Sequence, residues 1–214
     1  MKNSLKLDEQ QKEFLRCCLD PDVLTVFCDA AAGSGKTTIA MDAGYILVSD
    51  QRNIYDGIVY IVSPYGEGKQ GYLPGSITEK SEVYFEPAYQ AMIECGMNPN
   101  RDICDESMAG KKRGDGFVKL LTHTYLRGTN LQNKVVIIDE AQNFTVSELK
   151  KVLTRIHDSC KVIVIGHGGQ IDINGQSGFR MYLEHFRSRE WCRVCTLEHN
   201  YRGQISRWAD SIVG

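Results

Sequence analysis

The sequence predicts an α/β fold in which a mainly parallel central sheet carries helices on both faces. Three observations lead there. Several short runs rich in β-branched residues are continuous rather than alternating, as strands buried on both faces are. Helical apolar spacing lies between these runs, and strand–helix alternation is the pattern of a parallel sheet. The chain has 214 residues, 42% hydrophobic and 24% charged, which is enough to bury a core without staples.

In chain order, strands are read at Val23–Cys28, Gly57–Val62, Lys134–Ile138, Lys161–Ile165 and Arg193–Leu197, with Val118–Leu121 as a sixth. A helix follows the first strand over Thr37–Val48. The clearest helical pattern is Ser147–His157, where Val146, Leu149, Val152, Leu153 and Ile156 share one face. It opens on T-V-S-E, in which Thr145 can cap the first amides and Glu148 can reach back to the cap. Residues 63–116 fit the rhythm least. They hold GYLPGSITEK (71–80), a helix around Pro87–Cys95, and a stretch with the composition of a mobile loop carrying a basic knot at Lys111–Arg113. Such a charge run is ordinarily a solvated loop tip. With no internal repeat or low-complexity tract, residues 1–214 read as one domain, with 63–116 as an irregular insertion.

Composition excludes several classes. Lys+Arg number 25 against 27 Asp+Glu, a net charge of -2, which rules out a globally basic nucleic-acid coat but not a local basic channel. No apolar stretch approaches the ~18 residues of a membrane span. The N-terminus MKNSLKLDEQQKEF lacks the apolar region of a secretory signal. A cytoplasmic location with no membrane partner is therefore expected, and the eight cysteines are expected to be free thiols. Cys192 and Cys195 alone have C-x-x-C spacing; a mixed metal site with His185 or His199 is the alternative to two core cysteines.

The strongest chemical feature is Ala30-Ala-Ala-Gly-Ser-Gly-Lys-Thr37, placed after a strand and opening a helix. This is the context of a P-loop. Gly33 and Gly35 let the backbone turn so that successive N–H groups converge on phosphate oxygens, and the helix N-terminus adds partial positive charge. Ala31, Ala32, Gly33, Ser34, Gly35, Lys36, Thr37 and Thr38 are thus candidate contacts to ATP. Lys36 can reach the β- and γ-phosphates, and the Thr37 hydroxyl can ligate Mg²⁺. The second feature is Val135-Val-Ile-Ile-Asp139-Glu140-Ala-Gln142. A buried strand delivers two carboxylates at its C-terminal end: Asp139 to hold Mg²⁺, Glu140 to orient or deprotonate the attacking water. The fold class is then a three-layer P-loop NTPase of RecA-like type.

Two further segments, Gly166-His-Gly-Gly-Gln170-Ile-Asp172 and Leu197-Glu-His-Asn-Tyr201-Arg202-Gly203, follow in an order that resembles the first motor domain of superfamily 1 helicases. The chain is more similar still to the PhoH-like family of cytoplasmic ATPases. GYLPGSITEK, TYLRGTN (124–130) and VLTRIHDSCKVIVIG leading to Gln170 carry that resemblance, which runs from about Leu7 to Gly214. It implies that Gln11 hydrogen-bonds adenine, although the residue alone fits a surface glutamine on a first helix equally well. It implies that Gln170 senses the γ-phosphate and that Arg202 contacts it. Arg127 would be a second such arginine, a nucleic-acid contact or a structural ion pair. Lys36, Glu140, Gln170 and Arg202 are the catalytic candidates. Two departures stand out. The family's G-D-x-x-Q is Gly166-His167-Gly-Gly-Gln170 here, pointing to a weaker or pH-sensitive ATPase, and its R-P is Ser63-Pro64.

The resemblance implies an Mg²⁺-dependent ATP hydrolase that acts on RNA or single-stranded nucleic acid. Two other readings remain open. A thymidine-kinase-like nucleoside kinase also joins S-G-K-T to D-E-A-Q-F, but it lacks the G-x-x-x-Q and N-Y-R segments. A non-hydrolysing ATP-dependent binding module is suggested by His167. Because one motor domain fills the chain, a homo-oligomer such as a ring is expected, with a neighbour completing the site.

Overall fold

A computed structural model describes residues 6–64, 77–104, 116–126, 128–169, 173 and 176–210, with the backbone alone for 77–82, 207, 209 and 210. Helix α1 (Glu9–Leu19) starts at Asp8, whose side chain accepts the Gln11 N–H while the Gln11 side chain accepts the Asp8 N–H, a reciprocal capping box. Strand β1 (Thr25–Ala30) leads through the glycine-containing loop into α2 (Lys36–Val48). After β2 (Gly57–Val62) come α3 (Ile77–Glu94), the single turn α4 (Pro99–Asp102), β3 (Val118–Thr122) and a 3-10 turn over His123–Leu126. Strand β4 (Lys134–Ile138) is followed by a 3-10 turn (Ala141–Asn143) and α5 (Val146–Leu153). Then follow β5 (Lys161–Gly166), α6 (Phe179–Phe186), β6 (Cys192–Leu197) and α7 (Gln204–Asp210).

The strands form one six-stranded sheet in the order β3-β2-β4-β5-β1-β6, and every pairing in it is parallel. The period of two along each strand sorts the core into two halves. Val26, Cys28, Tyr60, Ile137 and Ile163 face α1, α2 and α3, with Phe14, Ile39, Met41 and Met92 opposite them. Phe27, Ile61, Val136, Ile138 and Val164 face α5 and α6, where Leu149, Val152, Phe179 and Leu183 cover them. The fold is the three-layer RecA-like α/β arrangement, with the parallel sheet and helices on both faces that the strand–helix alternation predicts.

Three local expectations need correction. The helix read over Ser147–His157 stops at Leu153. Beyond it the chain turns to pair with Leu131, whose N–H donates to Arg155 O at 2.8 Å and whose carbonyl accepts the His157 N–H at 2.9 Å. The helix read around Pro87–Cys95 is instead the second half of α3, with Pro87 exposed inside it. Phe85, Ala88, Ala91 and Met92 bury that helix against the core. Their burial outweighs the ~3 kcal/mol that an interior proline costs. Part of residues 63–116 is therefore core structure rather than irregular insertion; the expected mobile loop and Lys111–Arg113 lie outside the described residues. Finally, a C-x-x-C on a strand puts its two thiols on opposite faces. Cys192 packs toward α6 and Cys195 toward α1, so they cannot share a metal. Among the described residues no group of three or more His, Cys, Asp and Glu side chains is placed to hold a metal ion by itself.

Candidate functional site

The C-terminal ends of β1, β4, β5 and β6 lie side by side, which brings four sequence segments to one edge. The loop after β1 turns at Gly33 (φ 68°) and at Gly35 (φ 79°), the N-cap of α2. Both are left-handed conformations that favour glycine. The chain leaving β6 threads along this loop: Ala31 N–H donates to Leu197 O at 2.8 Å, and Tyr201 N–H donates to Gly33 O at 3.0 Å. The fit is close enough that a Cβ on Gly33 would stand 2.6 Å from Arg202 Cγ and 2.7 Å from Asn200 Oδ1. Arg202, exposed at the loop, is thus held beside it by Asn200, whose Oδ1 accepts the Arg202 N–H at 2.8 Å. From the other side Gln11 donates to Ser34 O at 2.9 Å. The α1 capping box therefore anchors the loop, and Gln11 is itself buried. Ser34 Oγ is buried and has no partner among the described residues. A buried hydroxyl left so suits an incoming acceptor such as a phosphate oxygen.

Asp139 and Glu140 leave β4 opposite the start of α2. Asp139 is fully buried. Its Oδ2 accepts the Thr37 hydroxyl at 2.8 Å and the Tyr60 hydroxyl at 2.6 Å, and its Oδ1 accepts the Glu140 N–H at 2.7 Å. Burial, and then the neighbouring Glu140 charge, push the Asp139 carboxyl above its ordinary range despite Lys36 and these donors. Glu140 behaves oppositely. Burial raises it, but the Lys36 ammonium at 3.0 Å and the Gln142 amide at 2.6 Å outweigh that and hold it below the usual carboxylate range. Lys36 is likewise pulled down by burial and then carried above its ordinary value by Asp139 and Glu140. Glu140 takes the left-handed backbone (φ 49°), a costly conformation for a non-glycine residue that clusters at functional sites.

A bridge links this pair to the turn after β5. The Gln142 amide donates to Glu140 and accepts the His167 N–H at 2.9 Å. Gly168 N–H donates to Asp29 Oδ1 at 2.8 Å, and Arg180 of α6 approaches Asp29 Oδ2 at 4.0 Å. The Nδ1 of His167 is buried without a partner among the described residues. Thr38 donates to Glu94 Oε2 of α3 at 2.7 Å. The structure thus brings together Gln11, the loop from Ala31 to Lys36, Thr37, Asp139, Glu140 and Arg202. Gln170 and Arg127, and residues 71–76 of the GYLPGSITEK segment, lie outside the described residues. Tyr60, Gln142 and Asn200 are members of the site to which the sequence reading gives no role. For Tyr60 the signal is a tyrosine inside the apolar run Gly57–Val62, because a buried hydroxyl needs a partner.

The residues present fit Mg²⁺. A buried carboxylate and a threonine hydroxyl are hard oxygen donors, and a nucleotide-bound Mg²⁺ takes its other positions from phosphates and water.

Comparison with known proteins gives a consistent result. The family model described as PhoH-like protein matches residues 5–212. Protein PhoH2 of Bacillus subtilis is 33% identical over 164 residues, covering 76% of this chain and 36% of that protein. Protein PhoH of Escherichia coli K12 is 32% identical over 191 residues, covering 87% and 51%. The chain thus spans about a third to a half of these relatives' length. Among solved structures, the large terminase of bacteriophage HK97 superposes with a TM-score of 0.56 at 15% identity, over 96% of this chain and 42% of that one. That likeness is one of fold.

Proposed function

The chain belongs to the PhoH-like protein family and is an ATP-binding P-loop protein; from that premise we propose that it is an Mg²⁺-dependent ATP hydrolase. The supporting observation is the convergence of Lys36, Thr37, Asp139 and Glu140, tied by the 2.8 Å Thr37–Asp139 and 3.0 Å Lys36–Glu140 contacts. Thr37 and Asp139 would hold Mg²⁺, which when bound neutralises phosphate charge. Lys36 exchanges its Glu140 partner for phosphate oxygens as the nucleotide enters. Glu140, released from Lys36 and kept in place by Gln142, orients the attacking water and takes its proton. Arg202 and Gln170 are assigned to the γ-phosphate, the first supported by its seat beside Gly33. Gln11 is assigned to the base side of the loop, supported by its bond to Ser34.

Phosphate release tests this reading. Lys36→Ala should abolish turnover. Glu140→Gln should bind ATP as the wild type does but lose at least about 10²-fold in turnover, the scale of general-base catalysis. A Glu140→Gln enzyme with normal turnover sinks the mechanism. His167→Asp tests whether the histidine weakens catalysis, by an increased rate or an altered pH profile. Thymidine kinases carry zinc on C-x-x-C pairs, so the nucleoside-kinase alternative loses support from the separation of Cys192 and Cys195 onto opposite faces of β6.

Coupling to RNA or single-stranded nucleic acid belongs to the same proposal, as does a homo-oligomer in which a neighbouring copy closes the open edge of the site. Stimulation of phosphate release by RNA or DNA, weakened at higher salt, supports the first. A monomeric mass by light scattering with and without ATP counts against the second. The reading places the chain in the cytoplasm, where its eight free cysteines stay reduced. Among the described residues no helix is long and apolar enough to cross a membrane.

A further inference from the structure

We propose that Tyr60 is a positioning residue for the metal: its hydroxyl holds the Asp139 carboxylate plane so that the oxygen it does not bind faces the Mg²⁺ site. The inference rests on the Mg²⁺–ATP reading above and adds a residue outside the P-loop and the Asp-Glu pair. Tyr60 lies in the middle of β2, paired in register with Ile137 of the adjacent β4. Asp139 is two residues further along, about 6.6 Å at the rise of a strand. A tyrosyl side chain lying along the sheet covers that distance, and the Tyr60 hydroxyl reaches Asp139 Oδ2 at 2.6 Å. The ring is fully buried among the residues under α2.

The consequence follows from counting lone pairs. A carboxylate offers about four acceptor positions, two on each oxygen. At Asp139 the Oδ2 receives two hydroxyl donors, Thr37 and Tyr60, and is filled. Among the described residues the Oδ1 receives the Glu140 N–H alone, which leaves one of its positions to a donor such as a metal-bound water. Without the Tyr60 hydroxyl, each oxygen would carry one donor, and the carboxylate plane would be less firmly held against twisting about the Cβ–Cγ bond. Phenylalanine would fill the same space, so packing alone does not account for tyrosine here. Outer-shell donors of this kind orient ligand carboxylates and govern metal affinity.

The test is equilibrium binding of a fluorescent ATP analogue across a range of free Mg²⁺, and again in EDTA, for wild type, Tyr60→Phe and a variant carrying 4-aminophenylalanine at position 60. Manganese electron paramagnetic resonance with nucleotide present gives the metal affinity directly. Tyr60→Phe should raise the metal concentration for half-maximal binding about tenfold or more, with metal-free binding unchanged. The 4-aminophenylalanine variant, which keeps a donor, should behave as the wild type. In an Asp139→Asn background the Phe change should have no further effect, since Tyr60 acts through Asp139. An unchanged metal requirement in Tyr60→Phe overturns the proposal. An equal loss of metal-free binding also overturns it, because the ring's packing would then be the cause. If the wild type itself shows no metal dependence, the Mg²⁺–ATP reading falls and takes this inference with it.

Discussion

Gly33 shows how little room the nucleotide loop leaves. Its φ of 68° and the Arg202 and Asn200 atoms within 3 Å of where a Cβ would stand are two separate obstacles to any side chain. Gly33→Ala should therefore weaken ATP binding at least about fivefold, since strain at such positions is worth 1–3 kcal/mol; equilibrium titration with a fluorescent analogue checks it. His123 gives a residue-scale prediction about pH. Burial holds its pKa below the ordinary 6.5, Lys151 acts in the same sense, and Glu148 at 3.3 Å opposes them only in part. As pH falls below about 6.5, the unfolded chain takes up a proton that the folded chain resists. Stability therefore falls on acidification through this range. Denaturant unfolding at pH 5.5 and 7.5 should show His123→Gln losing less stability than the wild type between the two.

Helix α5 is the element whose start the sequence specifies best, because its signals are local. The Thr145 hydroxyl accepts the Glu148 N–H at 3.3 Å and Glu148 Oε2 accepts the Thr145 N–H at 2.9 Å, as T-V-S-E implies. Thr145→Ala should cost about 1 kcal/mol, read as a lower denaturant midpoint with an unchanged slope. The end of α5 was not legible in the same way, because Leu131, in a distant part of the sequence, draws residues 155–157 out of the helix. Helix α3 makes the same point. A proline usually marks a helix's first turn, so Pro87 reads as a start, whereas burial of Phe85 and Met92 carries the helix through it. Strands β2 and β4 were legible to the residue, since the apolar runs Gly57–Val62 and Val135–Ile138 are each bounded on both sides by polar residues.

For the whole molecule, the site joins segments from Gln11 to Arg202, so a bound nucleotide should stabilise the entire domain. ATP with Mg²⁺ at about 100 times its dissociation constant should add about 2.7 kcal/mol. For a chain of this size that is a rise in Tm of roughly 5–10 °C. Thermal scans should show this shift for the wild type and none for Lys36→Ala. A Lys36→Ala protein shifted equally would place the ligand elsewhere.

The sequence by itself determined the fold class, the succession of six strands along the chain with three of the helices between them, the glycine loop and the Asp139–Glu140 pair. These rest on periodicity and on contiguous motifs, which are properties of neighbours along the chain. Only the tertiary structure decided which hydroxyls meet Asp139, that Asn200 seats Arg202 beside Gly33, that Gln142 links Glu140 to His167, and that Cys192 and Cys195 face opposite ways. The first three join residues brought together by sheet register and crossover connections, which no local pattern encodes. The fourth follows from the period of two along β6, which the structure extends by one residue beyond the strand read from the sequence so that it includes Cys192.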